Sequence, residues 1–214
     1  MPTIGHQLFA DADQIVRHLT AWACDLPDGA NIAITGGRLG ARVNCAIVES
    51  RTAPLRLWFS DERFLPAGDQ DRNDAGLIGN TIVRINSAHG PDLSNAVQES
   101  AREYESRVLQ ALGASALAGA ILSIGDDGHI ASLFPGTDLL HSDHVGAAAV
   151  MDSPKPPPQR VTWTLPLINS AEVVFLLAAG GEKTEVAQRV LDGDVKLPAA
   201  LVRGLDATYL LTCP

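Results

Sequence analysis

Two aspartates and a histidine follow a short apolar run near the middle of the 214-residue chain. The run Ile121–Ile124 has the composition of a buried strand, and it breaks at Gly125 into a turn that holds Asp126, Asp127 and His129. Histidine titrates near neutral pH and can act as a general base, and a nearby carboxylate can fix its tautomer. Because ligands bind at the carboxyl edge of open parallel sheets, this turn is a candidate site for acid–base chemistry. The alternative is a loop histidine beside two turn-forming aspartates.

Several basic residues follow other predicted strands or lie in loops, where they could bind an anion. Gly36-Gly37-Arg38 follows a short apolar strand and opens a helix, so backbone N–H groups and the helix dipole could face a phosphate. Arg63 ends another apolar strand and Arg72 lies in the polar loop beyond it, and either guanidinium could bind a phosphate or carboxylate. Prolines hold the next candidate loop extended, presenting Lys155 and Arg160 as a fixed pair of cations. The alternatives are that Gly36-Gly37 is only a tight connection, that Arg63 and Arg72 are solvated charges, and that the proline loop is a rigid linker.

Other kinds of chemistry find less support in the sequence. It contains neither G-x-G-x-x-G nor the Walker pattern, so binding of a dinucleotide or nucleoside triphosphate is not indicated. Ser132 lies close to His129 but outside any G-x-S-x-G elbow, so a structural role in the turn is favoured. Cys24 and Cys45 fall on predicted helix faces, which favours core packing over catalysis. Because no further metal ligands lie at a recognisable spacing from His129, we expect no metal site.

Composition limits the class of protein and the kinds of partner. With 16 Lys plus Arg against 25 Asp plus Glu, the net charge is −9, which argues against nucleic acid as a partner. A small anionic substrate would then need a local group of cations. The sequence lacks both a long apolar run and a basic, apolar leader, and its three cysteines are widely spaced. We expect one domain over residues 1–214, located in the cytoplasm and monomeric, with no membrane contact.

Strands and helices alternate along the chain, which predicts an α/β fold. Because the strands are apolar throughout, we expect a Rossmann-like, largely parallel sheet covered by helices on both faces. Apolar periodicity predicts helices over Leu8–Trp22, Ala41–Val48, Ala75–Gly79, Ser94–Leu112 (with Ser94 as its cap) and Glu182–Leu191. The remaining predicted strands are Asn31–Thr35, Leu55–Ser60, Thr81–Ile85, Val145–Met151, Val161–Leu165 and Val173–Ala178.

Taken together, these segments resemble the 6-phosphogluconolactonase family. The most specific match is the run Asp127-Gly128-His129-Ile130-Ala131-Ser132-Leu133-Phe134-Pro135-Gly136. Shorter matches occur in the family's order over nearly the whole chain: Gly36-Gly37, Trp58–Arg63 with Pro66, Asp71-Arg72-Asn73, Ser153–Pro157, Arg160-Val161-Thr162, Gly180–Lys183 and Leu197-Pro198-Ala199. Any one of these matches is weak, whereas the ordered set is strong.

The resemblance implies hydrolysis of 6-phospho-D-glucono-1,5-lactone to 6-phospho-D-gluconate in the oxidative pentose phosphate pathway, without a cofactor. It implies that His129 is the general base that activates water and that Asp127 orients or assists it. It also implies a set of residues that bind the phosphate or the ring oxygens of the substrate. In this chain they would be Gly36, Gly37, Arg38, Arg63, Arg72, Lys155 and Arg160.

The chain departs from the family pattern in two places. Many members have Ser or Thr after the two glycines, whereas this chain has Arg38-Leu39, and Arg38 would itself suit an anion. Asp126 stands where a neutral residue is frequent, and a second carboxylate beside Asp127 could raise the pKa of its neighbour.

Two alternative functions are compatible with the fold. One is a glucosamine-6-phosphate deaminase-like aldose–ketose enzyme, but that family typically continues the turn with an Asn-Glu-Pro-like stretch, whereas this chain has Ser132–Pro135. The other is a non-catalytic module that binds sugar phosphates. The presence of His129, Asp127 and Arg63 argues against that second alternative.

Overall fold

The computed structural model describes residues 3–50, 54–77, 82–88, 93–113 and 116–214. Within these ranges the chain forms ten strands, five α-helices and three short 3₁₀ helices. The strands are β1 (Gly5–Leu8), β2 (Asn31–Ile34), β3 (Arg56–Phe59), β4 (Asp61–Arg63), β5 (Ile82–Val83), β6 (Leu117–Ser123), β7 (Ala147–Val150), β8 (Arg160–Trp163), β9 (Val173–Ala179) and β10 (Ala207–Cys213). The α-helices are α1 (Ala12–Asp25), α2 (Gly37–Ser50), α3 (Leu93–Leu112), α4 (Leu165–Ile168) and α5 (Thr184–Leu191). The 3₁₀ helices are Asp138–His141, Gly181–Lys183 and Pro198–Leu201.

Seven of the described strands form a central sheet in which every pair is parallel. Their order is β1-β10-β9-β6-β2-β3-β5. All four residues of β2 and the five central residues of β9 are buried, which is typical of parallel strands covered on both faces. The predicted α/β class and largely parallel sheet are confirmed.

A second, three-stranded antiparallel sheet has the order β4-β8-β7, and the sequence analysis did not foresee it. The chain changes sheets at Ser60, the single residue between β3 and β4. Its N–H donates to the Ile34 carbonyl at 2.9 Å, and its carbonyl accepts from the Trp163 N–H at 2.7 Å. The residues that follow Ser60 were predicted to be the charged end of one strand, but they begin a strand of another sheet.

The N-terminal prediction was wrong because apolar spacing joined two different elements. Leu8 belongs to β1, which pairs with β10, and its side chain is 74% exposed. Helix α1 begins at Ala12, and its N-cap is Asp11, whose side chain accepts the Gln14 N–H at 2.8 Å. Leu8 has helical spacing to the apolar residues of α1 but lies before the cap, so the prediction wrongly placed it in the helix.

Three smaller predictions also need correction. Helix α3 begins at Leu93, so Ser94 lies in its first turn instead of capping it. Residues 75 and 76 form a turn and Leu77 has no regular structure, so the predicted helix Ala75–Gly79 does not begin there; its last two residues lie outside the described part of the chain. Cys24 and Cys45, expected to be buried, are exposed, whereas Cys213 is buried.

Helix α3 packs across the junction between the two sheets. The ring of Tyr104 is buried, and its hydroxyl donates to the carbonyl of Phe59 at 2.8 Å, at the last residue of β3. The next residue, Glu105, accepts the backbone N–H of Ala147 in β7 at 2.9 Å. The helix therefore fixes the position of β3 relative to the small sheet.

We predict that Tyr104→Phe destabilises the protein, because it removes the donor from a buried carbonyl. The expected loss in the free energy of unfolding is about 1–3 kcal/mol, measured by urea denaturation. The matched control is Tyr209→Phe at a partly buried tyrosine, where we expect a change within about 0.5 kcal/mol. Equal changes in the two variants would contradict this role for Tyr104.

Candidate active site

A cavity of about 610 Å³ opens at the carboxyl edge of the parallel sheet. Its wall includes Thr35, which follows β2, Ser123 at the end of β6, Ala179 at the end of β9 and Cys213 at the end of β10. A cavity of this size can hold a small metabolite. Its location is the one that ligands occupy in open parallel sheets.

His129 reaches this cavity, and Asp127 holds its ring. The Nδ1 atom of His129 hydrogen-bonds to Oδ1 of Asp127, and the backbone N–H of His129 donates to the same oxygen at 3.3 Å. Gly125 leaves room for the ring, since a Cβ atom there would lie 1.9 Å from Nδ1. With Nδ1 engaged by the carboxylate, Nε2 is the nitrogen that can exchange a proton with a ligand.

The surroundings of this pair set its protonation state. Burial lowers the pKa of His129 below its ordinary value; the hydrogen bond and charge of Asp127 oppose this effect, and Lys155 adds to it. Burial acts to raise the pKa of Asp127, but the hydrogen bonds and charge of His129, together with Lys155, outweigh it and lower that pKa. At neutral pH the imidazole is therefore neutral and the carboxylate ionised, as general-base chemistry requires.

Asp126 forms an ion pair with Lys183, which follows the glycine turn after β9. The hydrogen bond and charge of Lys183 lower the pKa of Asp126, whose side chain is 75% exposed. The charge of Asp127 acts to raise the pKa of Asp126, as expected for neighbouring carboxylates, but Lys183 outweighs it, and the pKa of Asp127 is itself lowered by His129 and Lys155. Lys183 is only 18% exposed and lines the cavity, although the sequence analysis had not named it as a binding residue.

The start of α2 also forms part of the cavity wall. Gly36 and Gly37 lie in this wall, and Gly37 has a φ of +77°, a left-handed conformation that favours glycine. Arg38 and Arg42 from the same helix also line it, as does Lys183. A helix N-terminus in a cavity that three cationic side chains line is suited to binding a phosphate.

Two other predicted cations, Arg63 and Lys155, differ in where they lie relative to the cavity. Arg63 lines the cavity, and its Nη1 donates to the Asp71 carbonyl at 2.6 Å. Lys155 is not in the cavity wall, but its Nζ lies 3.5 Å from Nδ1 of His129 and 3.6 Å from Oδ1 of Asp127. Lys155 is thus beside the acid–base pair.

Arg160 borders the cavity, but it is 5% exposed and most of its donors are engaged. Its Nη2 donates to the carbonyls of Lys155 and Pro156, both at 3.0 Å, and its Nε donates to the Pro157 carbonyl at 3.2 Å. Burial also lowers the pKa of this guanidinium. These contacts hold the loop that carries Lys155, so the two cations do not form the free pair that was expected.

Arg72 does not line the cavity, and its assignment to the binding residues is corrected. Its guanidinium is 5% exposed and donates to the carboxylate of Asp74 at 2.8 and 3.1 Å. It also donates to the carbonyls of Leu65 at 3.1 Å and Ile85 at 2.9 Å. Arg72 therefore holds its own loop together, and sequence spacing could not show which loop arginine turns inward.

Ser132 is buried, and its hydroxyl donates to Oδ2 of Asp61 at 2.7 Å, which agrees with a structural role. Asp61 and Asn73 line the cavity, and Nδ2 of Asn73 donates to Oδ1 of Asp61 at 3.3 Å. The sequence analysis had not assigned either residue to the site. Their signal was only a position after an apolar strand and in the loop beyond it.

The described residues also bear on metal binding and membrane insertion. Among them, no three His, Cys, Asp or Glu side chains group closely enough to hold a metal ion. Within the same part of the chain, no helix is both long and apolar enough to cross a membrane.

Comparison with known proteins identifies relatives over most of the chain. Residues 6–210 match the family described as glucosamine-6-phosphate isomerases/6-phosphogluconolactonase. A human 6-phosphogluconolactonase is 34% identical over 195 residues, which cover 80% of this chain and 73% of the human protein. A 6-phosphogluconolactonase of Streptomyces coelicolor is 33% identical over 205 residues, or 85% of this chain and 78% of that protein. The structure of a Thermotoga maritima 6-phosphogluconolactonase superposes with a TM-score of 0.82 at 24% identity, covering 99% of this chain and 100% of that one, and supports the fold.

The cavity wall yields a second prediction, at Gly36. A Cβ atom there would lie 2.0 Å from Oδ1 of Asn73, so we expect Gly36→Ala to destabilise the protein by about 1–3 kcal/mol in urea denaturation. Adding Asn73→Ala should recover part of that loss, because it removes the colliding amide. Gly181→Ala is the matched control, since a Cβ atom there meets nothing within 4 Å. If Gly36→Ala is as stable as Gly181→Ala, the close contact with Asn73 is wrong.

Proposed function

Because the chain belongs to the glucosamine-6-phosphate isomerase/6-phosphogluconolactonase family, we propose that it hydrolyses 6-phospho-D-glucono-1,5-lactone to 6-phospho-D-gluconate. This reaction is the lactone-opening step of the oxidative pentose phosphate pathway. The observation that carries the assignment is the neutral imidazole of His129, held by an ionised Asp127 beside a cation-lined cavity. A lactone hydrolase needs a base for water and positive charge for a phosphorylated substrate.

In the proposed mechanism, Nε2 of His129 takes a proton from a water molecule as the water oxygen attacks the C1 carbonyl. A C–O bond forms at C1, and the carbonyl electrons move onto oxygen to give a tetrahedral oxyanion. When the oxyanion collapses, the bond between C1 and the ring oxygen breaks, and the protonated His129 returns its proton to that oxygen. Asp127 stabilises the transient imidazolium and keeps Nδ1 protonated, so that Nε2 can accept.

We assign the cations to the two ends of the substrate by the groups that each one lies beside. Lys155 belongs to the reacting end, because its ammonium lies 3.5 Å from the imidazole, where it can offset charge developing on the carbonyl oxygen. The phosphate belongs at the start of α2, where Gly37 and Arg38 share the wall with Lys183. Binding the phosphate there orients the lactone ring without taking part in the chemistry.

The main alternative is a deaminase, since the family description covers glucosamine-6-phosphate isomerases as well. The curated relatives compared above are lactonases, which favours lactone hydrolysis. A direct test supplies fresh lactone in one assay and glucosamine 6-phosphate in another. Hydrolysis above the no-enzyme blank supports the proposal, and ammonia release without lactone hydrolysis would overturn it. The cytoplasmic location and the monomeric state stay predictions from the sequence.

A third prediction concerns the base itself. We expect His129→Asn to lower kcat by about 10²–10⁴-fold, because the side-chain amide cannot take up the proton. The rate of lactone loss must be corrected for spontaneous hydrolysis. His141→Asn changes an exposed histidine and is the matched control, with wild-type activity expected. Unchanged kcat in His129→Asn would remove His129 from the mechanism.

The fourth prediction is a pH profile of kcat/KM. Only neutral His129 accepts a proton, so activity falls as the pH drops through its pKa, and burial places that pKa below the ordinary 6.5. Asp127 raises the pKa of His129, so Asp127→Asn should move the acid limb to a lower pH while also reducing the maximal rate. An acid limb that stays in place or moves to higher pH in Asp127→Asn would contradict the pairing.

A further inference from the structure

The loop after β4 places one of its side chains in the cavity wall and restrains a cation that lines the same cavity. The Asp71 carbonyl accepts from Nη1 of Arg63 at 2.6 Å and so restrains that guanidinium. The amide of Asn73 lies in the cavity wall, packed against Gly36. Residues 71–74, hereafter the β4 loop, are described as turn and bend, so helical or ladder hydrogen bonds do not fix them. Turn hydrogen bonds and the side chain of Arg72 supply part of their order, and the rest needs another source.

Glu62 supplies that order from the opposite face of β4. Alternation along a strand sends Asp61 and Arg63 to the cavity and Glu62 away from it. The Glu62 side chain is 1% exposed, a rare environment for a carboxylate unless its oxygens are satisfied.

Three backbone N–H groups converge on this carboxylate. Oε1 of Glu62 accepts from Arg63 at 2.8 Å and from Asn73 at 2.6 Å, and Oε2 accepts from Asp74 at 3.0 Å. Arg72 adds an ion pair at 3.7 Å and also binds Asp74, tying the same loop from its other side. Only a carboxylate offers acceptors at both positions, since a glutamine would turn an NH₂ group toward one of these donors.

We propose that Glu62 is a positioning residue for lactone hydrolysis. Its buried carboxylate fixes the β4 loop, and the loop in turn holds Arg63 and Asn73 at the cavity. The expected effect of Glu62 on the kinetics rests on the proposed function. That Glu62 fixes the β4 loop is a structural claim that does not depend on the function. Burial raises the pKa of Glu62 to about 7, and the charge of Asp74 adds to the rise, whereas the N–H groups of Asn73 and Arg63 and the charge of Arg72 act against it.

The physical claim is tested first by hydrogen exchange. In the wild-type protein, the amides of Asn73 and Asp74 should be protected, because both donate to a buried carboxylate. In Glu62→Gln their exchange should accelerate, whereas Glu105→Gln, at a glutamate that accepts a backbone N–H from β7, should leave them unchanged. Unprotected amides in the wild-type protein overturn the proposal even if Glu62→Gln does not fold, and so does unchanged exchange in that variant.

The kinetic claim is tested by a double-mutant cycle with Arg63→Ala. Alone, Glu62→Gln should lower kcat/KM about 10-fold or more, because the restraint on Arg63 is loosened. In the Arg63→Ala background the same change should cost only about 2-fold, since the group that it positions is gone. Equal losses in both backgrounds would show that Glu62 only stabilises the fold, and no loss in the wild-type background would also overturn the proposal.

The two proposals can fail separately. If the wild-type protein hydrolyses no lactone above the blank, the proposed function is wrong, while the amide exchange still decides whether Glu62 fixes the loop. If the wild-type protein is active and the cycle is additive, the function stands and the role of Glu62 falls. Glu105→Gln should keep kcat/KM within about 2-fold of wild type, as expected for independent sites.

Discussion

At the carboxyl end of β6, the hydrogen bond between Asp127 and His129 sets the orientation and the protonation state of the imidazole. Burial favours a neutral ring, and the carboxylate keeps the proton on Nδ1, so the ring is prepared to accept another at Nε2. The arrangement works only because Gly125 leaves space for the ring. The cations of the cavity would bind an anion without this pair, but they would not activate water.

The change of sheets at Ser60 determines what surrounds the pair. It separates β3, which belongs to the parallel sheet, from β4, which pairs with β8. As a result Asp61 and Arg63 face the cavity, and the end of the proline loop at Arg160 lies opposite Arg63 in the same small sheet. The antiparallel sheet therefore brings the Lys155 loop to the acid–base pair, which a purely parallel fold would not do.

Local sequence patterns predicted the parts of the site that depend on one strand and its following turn. The apolar run before Gly125 and the titratable residues after it made His129 and Asp127 candidates for acid–base chemistry, and the family resemblance then implied their roles. The glycine turn after β2 became a candidate in the same way. Residues whose roles depend on pairing between distant segments were harder to predict. Arg63 and Arg72 have similar contexts in the sequence, yet one lines the cavity and the other is buried within its loop. The position of Lys183 in the cavity wall was not predicted, because its pairing with Asp126 depends on β6 and β9 being neighbours.

The central claim is that one end of the cavity performs the chemistry and the other binds the phosphate. A crystal structure with the product, 6-phospho-D-gluconate, bound at neutral pH tests it most directly. The account predicts the C1 end of the product beside Nε2 of His129 and the phosphate on the backbone N–H groups at Gly37 and Arg38. A product bound in the reverse orientation, or outside this cavity, would contradict it.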